Sequence, residues 1–181
     1  MGKYTIASRV APLLPARLVD NHAIANVIFN MLDQDGVRPL PPAVWSHVSQ
    51  VRRAVLDTAI QLSPPHLSFV FTNYLRGGDP AEEVIFEELG ARAEVRRSTF
   101  VPVLLSCATE EVMRRVVGPD RRERMKLVDP GLAREFNEGP RFTTSHPNTL
   151  ELDVTHLPAE ESAERIVSWV NACREDAATQ K

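Results

Sequence analysis

The chain has 181 residues, of which 43% are hydrophobic and 25% charged, and its formal net charge at pH 7 is −3. This size and composition predict a globular protein with one domain, and the nearly neutral charge argues against a nucleic-acid partner. No segment approaches the roughly 18 apolar residues of a membrane helix, and the start lacks the features of a secretory signal, so we expect a cytoplasmic protein without a membrane partner.

The first residues, Gly2-Lys3-Tyr4-Thr5, match the end of the phosphate-binding loop GxxxxGK[ST], known as Walker A. In such a loop the backbone N–H groups and the Lys side chain hold the phosphates of a nucleotide. The Gly-rich first half of the loop and the strand that should precede it are missing from this sequence. We expect both to be encoded in frame upstream of Met1.

Apolar periodicity predicts helices and strands that alternate along the chain. The helices are predicted at about 3–11, 23–32, 42–62, 80–96, 109–117, a short segment from 130, and 158–173, and the strands at 17–19, 67–71, 100–105 and 150–154. This alternation implies a mostly parallel sheet with helices on both faces. Pro102 conflicts with a central strand because it has no N–H to donate to a neighbouring strand.

Polar side chains follow two of the predicted strands, at the end where α/β folds bind ligands. Asp20 and His22 come after the strand at 17–19, and Thr72 and Asn73 come after the strand at 67–71. Asp20 could accept the proton of a substrate hydroxyl, bind magnesium, or cap the helix that follows. His22 could contact substrate or form a structural hydrogen bond at the helix start.

Arginines are concentrated after the strand at 100–105. They are Arg114, Arg115, Arg121, Arg122 and Arg124. Their forked guanidinium groups suit phosphate oxygens. Alternatively, neighbouring glutamates balance them on a solvated helix face. These glutamates are Glu110, Glu111 and Glu123.

The order of these segments is GK-x-T, LVDNH, LSFVFTN, an apolar strand into Cys107, an Arg-rich segment, and LxLDVT before a final helix. In this order the chain resembles the small P-loop kinases, a nucleoside-monophosphate-kinase-like group that includes shikimate kinase and chloramphenicol phosphotransferase. It is also similar to uncharacterised bacterial AAA-family or kinase-like ATPases. The resemblance covers nearly the whole chain. It implies an α/β fold with a three-layer P-loop NTPase-type parallel sheet, helices on both faces and the first strand missing.

The resemblance also implies a domain organisation. A single kinase-like domain would span residues 1–175, with an Arg-rich lid at about 114–140 and a frayed polar tail at 176–181.

The implied cofactors are ATP and Mg²⁺, and the implied partners are a nucleotide and a small-molecule acceptor. The residues assigned to nucleotide binding are Gly2, Lys3, Tyr4, Thr5, Arg115 and Arg124. Those assigned to catalysis are Lys3, Asp20, Arg121 and Arg122, and those assigned to the metal are Thr5 and Asp20. Because Tyr4 replaces the usual magnesium-binding hydroxyl, either Thr5 takes this role with a shifted geometry or phosphates, waters and an acidic residue hold the ion.

The predicted activity is transfer of the γ-phosphoryl group of ATP to a small hydroxylated or phosphorylated acceptor. Two alternatives stay open. One is a binding or assembly protein with impaired catalysis, which could fill the place of the missing strand by forming a homodimer. The other is a regulatory protein that hydrolyses ATP without an acceptor.

Overall fold

The structure is a computed structural model that describes residues 2–32, 40–118 and 127–179. It is a mixed α/β fold. The helices are α1 (Lys3–Leu13), α2 (Asn21–Phe29), α3 (Val44–Gln61), α4 (Pro80–Val95), α5 (Thr109–Val116), α6 (Pro130–Glu138) and α7 (Ala159–Thr179), and the strands are β1 (Ala16–Asp20), β2 (Ser68–Thr72), β3 (Val103–Ser106) and β4 (Leu150–Asp153). The predicted alternation of helices and strands is confirmed. None of the described helices is long and apolar enough to cross a membrane.

The chain forms two compact units. The first contains Met1–Leu18, Pro64–Cys107 and Pro140–Lys181, and the second contains Val19–Ser63 and Ala108–Gly139. The Lys3 end of α1 therefore belongs to the first unit, whereas Asp20 and the described part of the predicted lid belong to the second.

Two small sheets account for the strands of the described segments. β1 pairs with β2, and β3 pairs in parallel with β4, with Val103 opposite Leu150 and Ser106 opposite Asp153. The central residues of β2 and the first three residues of β3 are apolar at consecutive positions, which is typical of strands covered on both faces. In the structure these apolar residues are only partly buried. The continuous three-layer sheet stays a prediction.

The start of β3 differs from the sequence prediction. The strand was predicted from residue 100, but it begins at Val103, so the buried Pro102 lies just outside it. The carbonyl oxygen of Pro102 still accepts a hydrogen bond of 2.9 Å from the Leu150 N–H. A proline at this boundary removes no donor from the strand, which resolves the conflict that Pro102 posed.

Two helices of the first unit are longer than predicted. α1 packs against α7 and β2, and it continues through Pro12 to Leu13. α7 reaches Thr179, so residues 176–179, expected as part of a frayed polar tail, are helical. Ala177 and Ala178 favour this extension because alanine has the highest helix propensity.

The second unit is built from helix pairs. α2 packs against α3 around the buried side chains of Ala25, Phe29, Val44 and Val48, and α5 packs against α6. Phe29 meets Trp45 edge to face, with ring centroids 6.0 Å apart. A hydrogen bond from Arg52 to Asn21 places the start of α2 beside the middle of α3.

Candidate functional site

The predicted phosphate-binding residues lie at the start of α1, in the first unit. Gly2 is the N-cap residue and Lys3 the first helical residue, and the Ile6 N–H donates a 2.9 Å hydrogen bond to the Gly2 carbonyl. The N–H groups of a first helical turn have no partner within the helix, and the helix dipole adds partial positive charge there. Lys3 and Tyr4 are half-buried, and Thr5 is exposed. This end of α1 suits an anion.

Lys3 also approaches an aromatic ring that the sequence analysis did not single out. Its ammonium nitrogen lies 5.3 Å from the centroid of the Tyr74 ring, within the range of a cation–π interaction. Tyr74 follows β2 by two residues, and α1 packs against that strand. Burial raises the pKa of Tyr74 above its usual value of 10.0, so its hydroxyl is neutral at physiological pH. In the sequence, the feature that could have identified Tyr74 was an aromatic residue just beyond the end of an apolar strand.

The other predicted residues at this strand end lie where the sequence placed them. Thr72 is the last residue of β2 and is only 7% exposed, and Asn73 follows it, half-buried. The structure thus brings Lys3 to the strand end that carries these polar residues.

In the second unit, Asp20 ends β1 and occupies the N-cap position of α2. Its backbone is extended, as expected for an N-cap, but its side chain makes no capping hydrogen bond to that helix. The capping role that the sequence left open for Asp20 is therefore not performed by its carboxylate. His22 lies in the first turn of α2, half-buried.

Arg52 is a further candidate that sequence reasoning missed. Its Nη2 donates a 2.9 Å hydrogen bond to Oδ1 of Asn21, the residue after Asp20, and both side chains are half-buried. Arg52 lies four residues after Val48 and four before Leu56, both of which are buried. Residues four apart share a helix face, so a cation in this row was a readable signal. The arrangement holds a guanidinium group at the carboxyl end of β1.

Only part of the predicted Arg-rich lid lies within the described residues. Arg121, Arg122 and Arg124 lie outside the described residues. Arg114 and Arg115, on α5, both bind Glu111: Nε and Nη2 of Arg114 lie 2.6 Å from its two carboxylate oxygens, and Nε of Arg115 lies 2.6 Å from one of them. The hydrogen bonds from Arg114 and Arg115 lower the pKa of Glu111 from 4.5 to about 2.

The geometry of Arg114 and Arg115 therefore matches the alternative interpretation, in which a neighbouring glutamate balances their charge on the helix face. Arg114 has 74% of its side chain exposed and Arg115 28%, so Arg115 is the more enclosed of the two. A nucleotide that bound Arg115, as predicted, would have to compete with Glu111 for it.

The described residues contain no group of three or more His, Cys, Asp or Glu side chains able to hold a metal ion. The two residues assigned to the metal offer one carboxylate, on Asp20, and one exposed hydroxyl, on Thr5. A magnesium ion with such ligands would keep most of its coordination sphere for waters and phosphate oxygens.

Comparison with known proteins gives one solved structure of similar fold. It is a 1.70 Å crystal structure of a protein described as a putative kinase from Chloroflexus aurantiacus, with a TM-score of 0.63 and 18% identity over 97% of this chain and 90% of that chain. No protein-family model and no curated protein matches the sequence. The similarity shows that the two chains share a fold.

Proposed function

We propose that this chain is a P-loop kinase-like protein that transfers the γ-phosphoryl group of ATP to a small hydroxylated acceptor. The observation that carries the proposal is the position of Lys3, at the N-terminus of a helix that packs beside the end of β2. A fold shared with a protein described as a putative kinase supports it. Such enzymes act mainly by positioning substrates and stabilising charge.

The fold proposed with this function is the three-layer P-loop sheet. The observed alternation of helices and strands, and the fold shared with a protein described as a putative kinase, support this part of the proposal.

Lys3 would neutralise the β- and γ-phosphates of ATP, while the N–H groups of the first turn of α1 would donate hydrogen bonds to them. Mg²⁺ would supply further neutralisation of phosphate charge. The ligands proposed for it are phosphate oxygens and waters, with Asp20 or Thr5 as a protein ligand.

Asp20 would position the acceptor and take up its proton. In the transfer, the acceptor oxygen forms a bond to the γ-phosphorus, and the bond from that phosphorus to the bridging oxygen breaks. The bonding electrons leave with ADP, and the hydroxyl proton passes to the Asp20 carboxylate. Arg121, Arg122 and Arg124 are proposed to stabilise the transferred charge, as lid arginines.

The first test is calorimetric titration of the protein with Mg²⁺ and ATP. We expect binding heat for the wild type and a loss of affinity of about 10- to 100-fold for Lys3→Met, because a charge-assisted contact to phosphate is removed. Lys181→Met, which removes an equal charge elsewhere, is the matched control. Absence of both binding heat and a thermal shift with the wild type would reject the proposal.

A second measurement separates phosphoryl transfer from plain ATP hydrolysis. ADP formation is followed with and without a panel of small alcohols. A kinase releases ADP faster when an acceptor is present, whereas a regulatory ATPase releases it at the same rate throughout.

A further inference from the structure

The strand β4 has an open edge in the part of the chain that the structure describes. In the sheet formed by these residues, β4 pairs with β3 alone. The N–H groups of Leu150 and Val154 each donate a 2.9 Å hydrogen bond to a carbonyl oxygen in or beside β3. Consecutive residues of a strand direct their backbone groups to opposite sides, so Glu151 and Asp153 direct theirs away from β3. Such an edge is a template for another strand.

A groove adjoins this edge. It has a volume of about 540 Å³, and its wall is formed by Leu150, the first residue of β4, and by residues on one flank of α7, among them Glu164, Trp169 and Ala172. The Trp169 indole N–H donates a 2.9 Å hydrogen bond to the Asn148 carbonyl oxygen, which fixes the ring in the wall. Because the wall is mostly apolar, apolar side chains of a segment lying along β4 gain free energy by entering the groove.

Carboxylates surround the edge and the groove. Glu151 and Asp153 on β4 and Glu164 on α7 are all exposed. Glu161 also lines the groove, where its carboxylate forms an ion pair of 2.6 Å with Arg165. Acidic side chains thus outnumber basic ones on this surface, and it favours a basic occupant.

A second copy of this chain does not suit the edge. If two copies paired antiparallel through their β4 edges about a twofold axis, Glu151 of one copy would lie opposite Asp153 or Glu151 of the other. Like charges directly opposite each other destabilise a pair of strands. The occupant is therefore a different segment, with basic side chains at these positions.

We propose that β4 and the adjoining groove dock an extended segment of a partner protein in which basic and apolar residues alternate. The segment adds a strand to the sheet, and its backbone forms hydrogen bonds with Glu151 and Asp153. The side chains of a strand alternate between its two faces. The apolar ones lie on the face of Leu150 and enter the groove, whereas the Lys or Arg side chains lie on the face of the two carboxylates.

The test uses a short fluorescent peptide of alternating lysine and valine, and its binding to the full chain is followed by fluorescence anisotropy. We expect saturable binding with a Kd below about 1 mM. Two control peptides carry the same residues. In one, the lysines precede the valines as separate blocks, and in the other the alternating peptide is methylated at its backbone nitrogens, which prevents strand pairing. Both should bind at least about tenfold more weakly, because each keeps the charge and loses the backbone or side-chain match.

Two variants of Glu151 probe the edge itself. Glu151→Pro removes an N–H that points away from β3, so the pairing of β4 with β3 keeps its hydrogen bonds while the outer edge is blocked. Glu151→Lys reverses the charge without restricting the backbone, and it tests the edge even if the proline variant unfolds. We expect each to weaken binding of the alternating peptide by at least about tenfold. Glu175→Lys makes the same charge change at an exposed position of α7 outside the groove and should stay within about twofold of wild type.

Three results would overturn the proposal. The first is a lack of saturable binding of the alternating peptide up to about 1 mM. The second is equal binding of the alternating and control peptides, which indicates adhesion through charge alone. The third is an equal loss of affinity in Glu151→Lys and Glu175→Lys. If the carboxylates serve only to keep β4 edges of different copies apart, the peptide does not bind, and Glu151→Gln shows stronger light scattering than wild type.

Discussion

The ammonium group of Lys3 lies 5.3 Å from the centre of the Tyr74 ring, which joins the start of α1 to the residues that follow β2. In the sequence these two residues are far apart, and only the packing of α1 against β2 brings them together. The contact restricts where the Lys3 side chain can point. The contact therefore helps to pre-orient the proposed phosphate-binding lysine for a ligand.

Replacing Tyr74 should weaken nucleotide binding modestly. An exposed cation–π contact is worth about 0.5–1 kcal/mol, so Tyr74→Leu is expected to reduce affinity for Mg²⁺ and ATP by about two- to fivefold. Tyr74→Phe keeps the ring and should bind as wild type in the same calorimetric titration. A Phe variant as weak as the Leu variant would instead assign the effect to the hydroxyl group.

The Glu111 cluster should make stability depend on pH. Because the pKa of Glu111 is lowered from 4.5 to about 2 by Arg114 and Arg115, its contribution to stability is fully present above pH 4.5. It is lost as the pH falls toward 2. At pH 7, Glu111→Gln should therefore unfold at a lower urea concentration than wild type. This difference in urea midpoint should become smaller as the pH is lowered below 4.5.

Glu110→Gln is the control for this measurement, since Glu110 is exposed on the same helix. Its urea midpoint should stay close to that of wild type at both ends of the pH range. A gap between wild type and Glu111→Gln that does not change with pH would contradict the ion-pair explanation. High salt should also reduce the difference in urea midpoint, because the ion pairs of Glu111 with Arg114 and Arg115 are partly exposed to solvent.

Gly77 should not tolerate a side chain. Its N–H donates a 3.0 Å hydrogen bond to the Pro140 carbonyl, and a Cβ at this position would lie 2.8 Å from the carbonyl carbon of Arg141. The opposing atoms are backbone, so Gly77→Ala must displace a chain segment, and we expect a loss of about 1–3 kcal/mol in unfolding free energy.

Gly78→Ala provides the comparison, because open space surrounds that position although its φ is +73°. The backbone strain alone should cost about 1 kcal/mol. Chemical denaturation measures the loss of unfolding free energy in each variant, and we expect the larger loss for Gly77→Ala. A Gly77→Ala protein as stable as wild type would rule out the close approach to Arg141.

Arg96 should be a structural residue of the first unit. It donates hydrogen bonds to the carbonyl oxygens of Pro64 and Leu67, and its guanidinium carbon lies 5.2 Å from the Phe69 ring centre. We expect Arg96→Ala to lower the unfolding free energy by about 1–3 kcal/mol. Arg97→Ala, at the exposed neighbouring position, should change stability by less than about 0.5 kcal/mol. Equal losses in the two variants would contradict this role.

The helix and strand predictions succeeded where short-range rules apply. The apolar residues of α3 recur every three or four positions, and Asp79 and Asp129 each precede a proline at a helix start, where their carboxylates accept hydrogen bonds from Ala81 and Leu132. Boundaries were less accurate. Pro102 stands before β3 rather than inside it, and α7 continues to Thr179.

The candidate site residues also fall into two groups, those that local sequence features identified and those that only a distant partner revealed. Lys3 and Asp20 were selected because their sequence neighbours form a recognisable motif or a strand end. Tyr74 and Arg52 were not, because each gains its interest from a partner distant in the sequence: Tyr74 from Lys3, and Arg52 from Asn21.

By itself, the sequence determined the alternation of helices and strands and the presence of a lysine at the start of the first helix, since hydrophobic period and turn chemistry are local properties. Only the tertiary structure decided which distant groups share a surface. It set Arg52 against Asn21 and brought the Lys3 ammonium group to 5.3 Å from the centre of the Tyr74 ring. These outcomes depend on the packing of whole elements, which no local pattern of residues encodes.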